Sequence, residues 1–314
     1  MIEAGLIVSR CFHYMALMAL FGVSLFPLYA YAKHSSQWST RLDRLFHAVV
    51  IGAAFVALLS GILWLAFTTA SMAGTTSAAT DWDAVSSVLS DTTFGHVWIV
   101  RLALMILILV TIGARSASTA NGRHDIRTPL LAGLLLVSLA GVGHTQQNDG
   151  LAWLVHSAAD SVHLLSAGAW LGGLLALGIV LAPSYASPAT DSIVTEDVLR
   201  RFSGTGYAAV AVLVASGVIN SWYLVGSLAG LVRTPYGQLL LVKLCLFTGM
   251  LVLAASNRFW LVPRLRRSNQ SAQSREPFIQ LRRHVLGEQL LGLFVLLIVS
   301  ALGTMDPTVN QMSP

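Results

Sequence analysis

The residues of this chain best suited to chemistry are His13, His96, His144, His156, Asp160 and His163, all set in or beside long apolar runs. Three of them occur in HSAADSVH (156–163), where His156, Asp160 and His163 follow an i, i+4, i+7 spacing. On a helix that spacing aligns them along one stripe. An ionisable side chain inside an apolar run is expensive to place in lipid, so it counts first as a functional-site hypothesis. Imidazole nitrogens suit copper, zinc, iron or nickel, and paired histidines can also be the axial ligands of a haem.

Further polar residues accompany this set. Arg10 stands one turn from His13, and Arg101, Asn220 and Lys243 lie within other apolar runs. Structural uses compete with functional ones. Asp160 could pair with Arg10, Arg101 or Lys243, and a single buried histidine is usually a satisfied packing residue. Five histidines on one side of a membrane favour ligation. Cys11, Met15 and Met18 are also spaced i, i+4, i+7 and could form a soft descent for Cu(I), although thioether rows more often fill core gaps. No closed Cys/His motif supports zinc. Buried Arg10, Arg101 and Lys243 would repel a cation yet could hold haem propionates, so a b-type cytochrome is the alternative. Glu288 reads as a salt-bridge partner of a basic connection, or as an exit-side ligand.

The elements that must position these groups are membrane helices. With 55% hydrophobic and 11% charged residues and a mean hydropathy of +0.71, the chain has more apolar surface than one soluble core can bury. The apolar runs reach the roughly 20 residues needed to cross a bilayer and show no strand alternation. The fold class is therefore all-α, a polytopic integral membrane protein. Eight spans are expected at 4–31, 44–70, 95–117, 127–143, 152–183, 201–227, 237–261 and 283–304. The first is read as a retained span despite AYA at 30–32, because Glu3 replaces a basic n-region. Basic residues alternate between connections: Lys33, Arg41 and Arg44, then Arg115, Arg123 and Arg127, then Arg200 and Arg201, then the arginines around 258–283. By the positive-inside rule both termini are periplasmic. The basic pI of about 9.6 is thus topological, with no nucleic-acid partner implied. In this frame His96, His144 and His156 lie at the outer mouth, His13 about 13 Å down and His163 about 16 Å down. The outer connection 71–94 reads as a solvated connector rather than a docking loop. Cys11 and Cys245 imply no disulfide.

Three blocks carry a resemblance: SRCFHYMALMALFGVSLF, GHTQQNDGLAWLVHSAADSVHLLSAGAWLGGLLAL, and the long stretch from RFSGTGY through TPYGQLLLVK to NRFWLVPRL. The chain resembles the bacterial copper resistance protein D (CopD) family, with the strongest match in 201–304 of a single transmembrane domain, 1–314. The resemblance implies copper tolerance and copper uptake across the inner membrane, together with a separate periplasmic copper-binding protein of CopC type. It also implies that His13, His96, His144, His156 and His163 are the family's characteristic histidines. The resulting expectation is a copper transporter rather than an enzyme, working in the lipid bilayer with copper as its ion. The alternative is a membrane oxidoreductase carrying haem b, a cupric reductase or quinone-linked carrier.

Overall fold

The computed structural model describes residues 1–30, 40–117, 125–143, 150–182, 191–265 and 276–311, and these are almost entirely helical. The long helices are α1 (Ile2–Ala30), α2 (Thr40–Ala73), α4 (Thr93–Ala117), α6 (Gly150–Val180), α7 (Asp191–Val225), α9 (Pro235–Ser256) and α10 (Glu276–Leu302). Shorter are α3 (Trp82–Asp91), α5 (Arg127–Val137), α8 (Leu228–Arg233) and α11 (Thr308–Gln311). Seven helices are long and apolar enough to cross a membrane, so this is a multi-pass membrane protein. The expected fourth span appears as a shorter apolar helix over Arg127–Val142, in which α5 tightens into a 3₁₀ turn at Ser138–Val142. The 3₁₀ form rises about 2.0 Å per residue instead of about 1.5 Å, so it lengthens this short element.

α1 is the axis of the bundle. It packs against α2, α5, α6, α7 and α10, and 61% of its apolar window is buried inside the protein, against 11% for the span containing α9. Leu17, Leu20, Val23 and Phe26 of α1 are buried completely or nearly so. α2, α4 and α5 gather on one side of α1. On the other side α6 carries α7, and α10 carries α9. The two sides meet where α1 crosses α6 on a seam of glycines. A β-carbon on Gly172 would strike the Met18 carbonyl, and one on Gly22 would strike the Gly168 and Gly172 backbones. Small residues are what allow membrane helices to approach this closely.

The start of α1 and α11, the first and last described helices, lie at one end of the bundle, which we call the terminal end. There Arg10 Nη1 donates to the Gly303 carbonyl at 2.5 Å, and the Thr234 and Thr308 hydroxyls meet at 2.9 Å. The opposite, basic end is tied by Arg200 and Arg201 to Asp197, and by Arg201 to the Tyr29 carbonyl.

The TPYG block has a structural explanation. Thr234 caps α9 by accepting from Gly237 N at 3.0 Å, Pro235 occupies the first turn where no amide proton is needed, and Tyr236 is buried. Only glycine fits at 237, since a β-carbon there would meet the Gly230 and Leu231 carbonyls. The connection 71–94 is more ordered than a plain connector, holding a 3₁₀ turn (Thr76–Ala79) and α3, whose cap Asp81 accepts from Asp83 N.

Candidate functional site

Among the described residues, two polar groups flank the α1–α6 seam, one on each side. The first centres on His13 of α1, which is fully buried and turned toward α2. Its Nδ1–H donates to the Ala57 carbonyl at 2.9 Å, with Ser60 Oγ at 3.2 Å. Because a carbonyl can only accept, Nδ1 holds the proton and Nε2 is an acceptor. That acceptor is met by Arg101 Nη2 of α4 at 2.5 Å. Arg101, also fully buried, donates through Nη1 to the Leu135 carbonyl (3.0 Å) and to Ser138 Oγ (2.6 Å) where α5 tightens. Two indoles complete the group. Trp64 lies edge-on to His13, the Trp98 and Trp64 centroids are 4.9 Å apart, Arg101 lies over Trp98 and Arg10 lies over Trp64. Such cation–π contacts partly offset the cost of burying guanidinium. The Nε atoms of Arg10 and Arg101 and the Trp98 Nε1 are buried without a hydrogen-bond partner among the described residues.

The second group is the α6 stripe, which faces α7 as its spacing requires. His156 is buried and stacked on Tyr223, with centroids 4.7 Å apart and planes 7° from parallel. Asp160 Oδ1 accepts from Asn220 Nδ2 at 3.2 Å, and Asn220 Oδ1 is buried without a partner. His163 Nδ1 lies 3.0 Å from Ser216 Oγ, whose own proton goes to the Val212 carbonyl at 2.6 Å. Ser216 must therefore accept, so His163 donates through Nδ1 and presents Nε2 as a lone pair. Lys243 of α9 is the charged neighbour of both Asp160 and His163.

Several expectations change on this geometry. Arg10 and Arg101 do not pair with Asp160; both are engaged in the first group. His96 is exposed at the start of α4 and bonds through Nε2–H to the Ser90 carbonyl of α3 at 2.8 Å, away from either group. His144 lies outside the described residues. Cys11 faces Ser300 of α10, and Met18 packs into the α6 seam, so the soft stripe and His13 occupy different faces of α1. Among the described residues, no three His, Cys, Asp or Glu side chains are placed to hold one metal ion. Glu288 accepts from Asn257 Nδ2 at 2.7 Å, and the basic connection 266–275, with which it was expected to pair, lies outside the described residues. The sequence reading missed Ser60, Trp64, Trp98 and Ser216. Serines and tryptophans are routine in apolar helices, and only the azimuth of each helix reveals that they face a histidine.

A model described as "Copper resistance protein D-like, N-terminal domain" matches residues 1–155, and one described as "Copper resistance protein D" matches 196–302. The chain is 31% identical over 307 residues to copper resistance protein D of Pseudomonas syringae pv. tomato, covering 94% of each protein. This chain belongs to the copper resistance protein D family. It is also 28% identical to the inner membrane protein YebZ of Escherichia coli K12, over 96% of this chain and 98% of that protein. The copper transport protein CutJ of Bacillus subtilis 168 is 30% identical over the whole chain, which spans 54% of CutJ's length. No solved structure matches. The two family matches divide the molecule along the observed grouping. His13, His96, Arg101 and His144 fall in the first match, and Asn220 and Lys243 in the second. The stripe of α6 falls between them.

Proposed function

We propose that this chain moves copper across the bacterial inner membrane, from periplasm toward cytoplasm. Copper would be taken up at the terminal end from a periplasmic protein of CopC type, with His96, His144 and His156 at the mouth and His13, Asp160 and His163 farther in. In this reading the short Arg127–Val142 helix is the eighth crossing and both termini are periplasmic. The alternating arginine-rich connections support that orientation.

One observation carries the proposal: the α6 stripe is turned inward and held in a ligand-like state. His163 keeps Nε2 as an acceptor because its Nδ1–H donates to Ser216 Oγ, the arrangement by which metal-binding histidines are oriented. The orphaned Asn220 Oδ1 beside Asp160 adds a second acceptor that wants a cation or donor. Imidazole, carboxylate and amide oxygen form a donor set suited to Cu(II). Lys243 offsets the Asp160 charge, which weakens binding and so permits onward release. His13 would join the path only after Arg101 withdraws from Nε2.

Copper flux in proteoliposomes tests the route. Wild-type protein should transport, and the His156→Ala/His163→Ala double variant should not; equal flux from both would reject the stripe as the path. A haem-carrying membrane oxidoreductase is the second reading, favoured by Arg10 and Arg101, which have free buried Nε donors suited to propionates. The optical spectrum of purified protein separates the two, since only haem gives a Soret band.

A further inference from the structure

Far from both histidine groups, in the basic-end half of the bundle, α10 buries a carboxyl group among apolar helices. Glu288 is only 2% exposed. Its single hydrogen bond comes from Asn257, and among the described residues no Lys, Arg or His nitrogen lies within 4.0 Å of it. An uncompensated carboxylate at such depth is costly.

Its surroundings are constructed rather than accidental. The helix preceding it in space, α9, ends in a π turn at Asn257–Leu261, closed by the Val262 amide bonding to the Asn257 carbonyl. A π turn fits an extra residue into the turn and is frequent at functional sites. Asn257 opens it. His284, one turn before Glu288 on α10, donates Nδ1–H to Asn257 Oδ1 at 2.9 Å. That bond fixes the amide's orientation, so its NH₂ must point at Glu288 Oε1. Glu288 and Asn257 both line a cavity of about 140 Å³ between α6, α7, α9 and α10. Its other titratable lining groups are Tyr207 of α7 and Arg258 of the π turn; α6 contributes only apolar residues, among them Trp170 and Leu174.

We propose that Glu288 is a proton-binding site that exchanges with water in this cavity. The Asn257 donor occupies Oε1 in both the acid and the carboxylate, so gain and loss of the proton are confined to the other oxygen. A proton arriving from the basic end binds at Oε2, and the same atom releases it.

The test is infrared difference spectroscopy on the whole purified protein, titrated from about pH 4 to about pH 9, the span over which protein carboxyl groups titrate. The expected result is a carboxylic C=O band that appears reversibly with acid and is lost in Glu288→Gln. In Asn257→Ala the same band should move to higher wavenumber, because the carbonyl loses its donor. The Asn257→Ala shift identifies the band even if Glu288→Gln does not fold. A titrating band unchanged by both substitutions, or none at all, overturns the proposal. Copper binding at the terminal end plays no part in this readout.

Discussion

At the scale of single residues, hydrogen-bond direction separates the two histidines that sequence spacing treats alike. His163 has its proton drawn to Ser216, whereas His13 has its lone pair covered by a guanidinium. Ser216→Ala should therefore weaken copper binding by roughly 10- to 100-fold, the usual cost of losing an orienting partner, as read by chelator competition. Binding should also fall on acidification, because imidazole ligates only when unprotonated and carboxylate only when ionised; equilibrium loading across pH measures this. Arg101→Lys should destabilise the protein by about 2–3 kcal/mol in thermal unfolding. An ammonium cannot reproduce the fork that reaches Leu135, Ser138 and His13 together, and it leaves buried acceptors unpaired. The residue types were legible in the sequence, but their partners were not. Nothing in SRCFHYM announces Ala57 or Arg101, because pairing across helices depends on rotation and depth, which hydropathy does not encode.

At the scale of elements, seven of the spans were legible to within a few residues at most ends, although the last, expected from 283, begins at Glu276. The expected 4–31 is observed as Ile2–Ala30, and 152–183 as Gly150–Val180. Length and apolarity suffice for this, since lipid forces each run into a helix. The seventh span was expected to stop at 261 but continues through the π turn to Leu265, and no periodicity marks an i→i+5 turn. α3 was hidden because its ten residues lie in a polar stretch. Which faces meet was also illegible until the glycines of α1 and α6 were seen in register. Gly172→Val should separate these helices and cost on the order of 2 kcal/mol or more, because the added carbon meets backbone. Gly204→Ala, where a β-carbon meets nothing within 4 Å, should leave the melting temperature unchanged or higher. Comparing the two melting temperatures in the same detergent checks the seam.

At the scale of the whole molecule, the described helices pack around α1, and its two sides correspond to two family matches. Orientation is the prediction that belongs here. If the arginine-rich connections face the cytoplasm, alkaline phosphatase fused after residue 311 should be active and fluorescent protein fused there should be dark. The reverse pattern would invert the transport direction proposed above.

The indole pair beside His13 has a practical consequence. Trp64 and Trp98 are shielded from water and each is covered by a guanidinium, so their emission should be blue-shifted and sensitive to any rearrangement of Arg101. An open-shell ion such as Cu(II) arriving at the adjacent imidazole would quench them at once. The chain thus carries its own optical probe for ion arrival at His13, readable without labels.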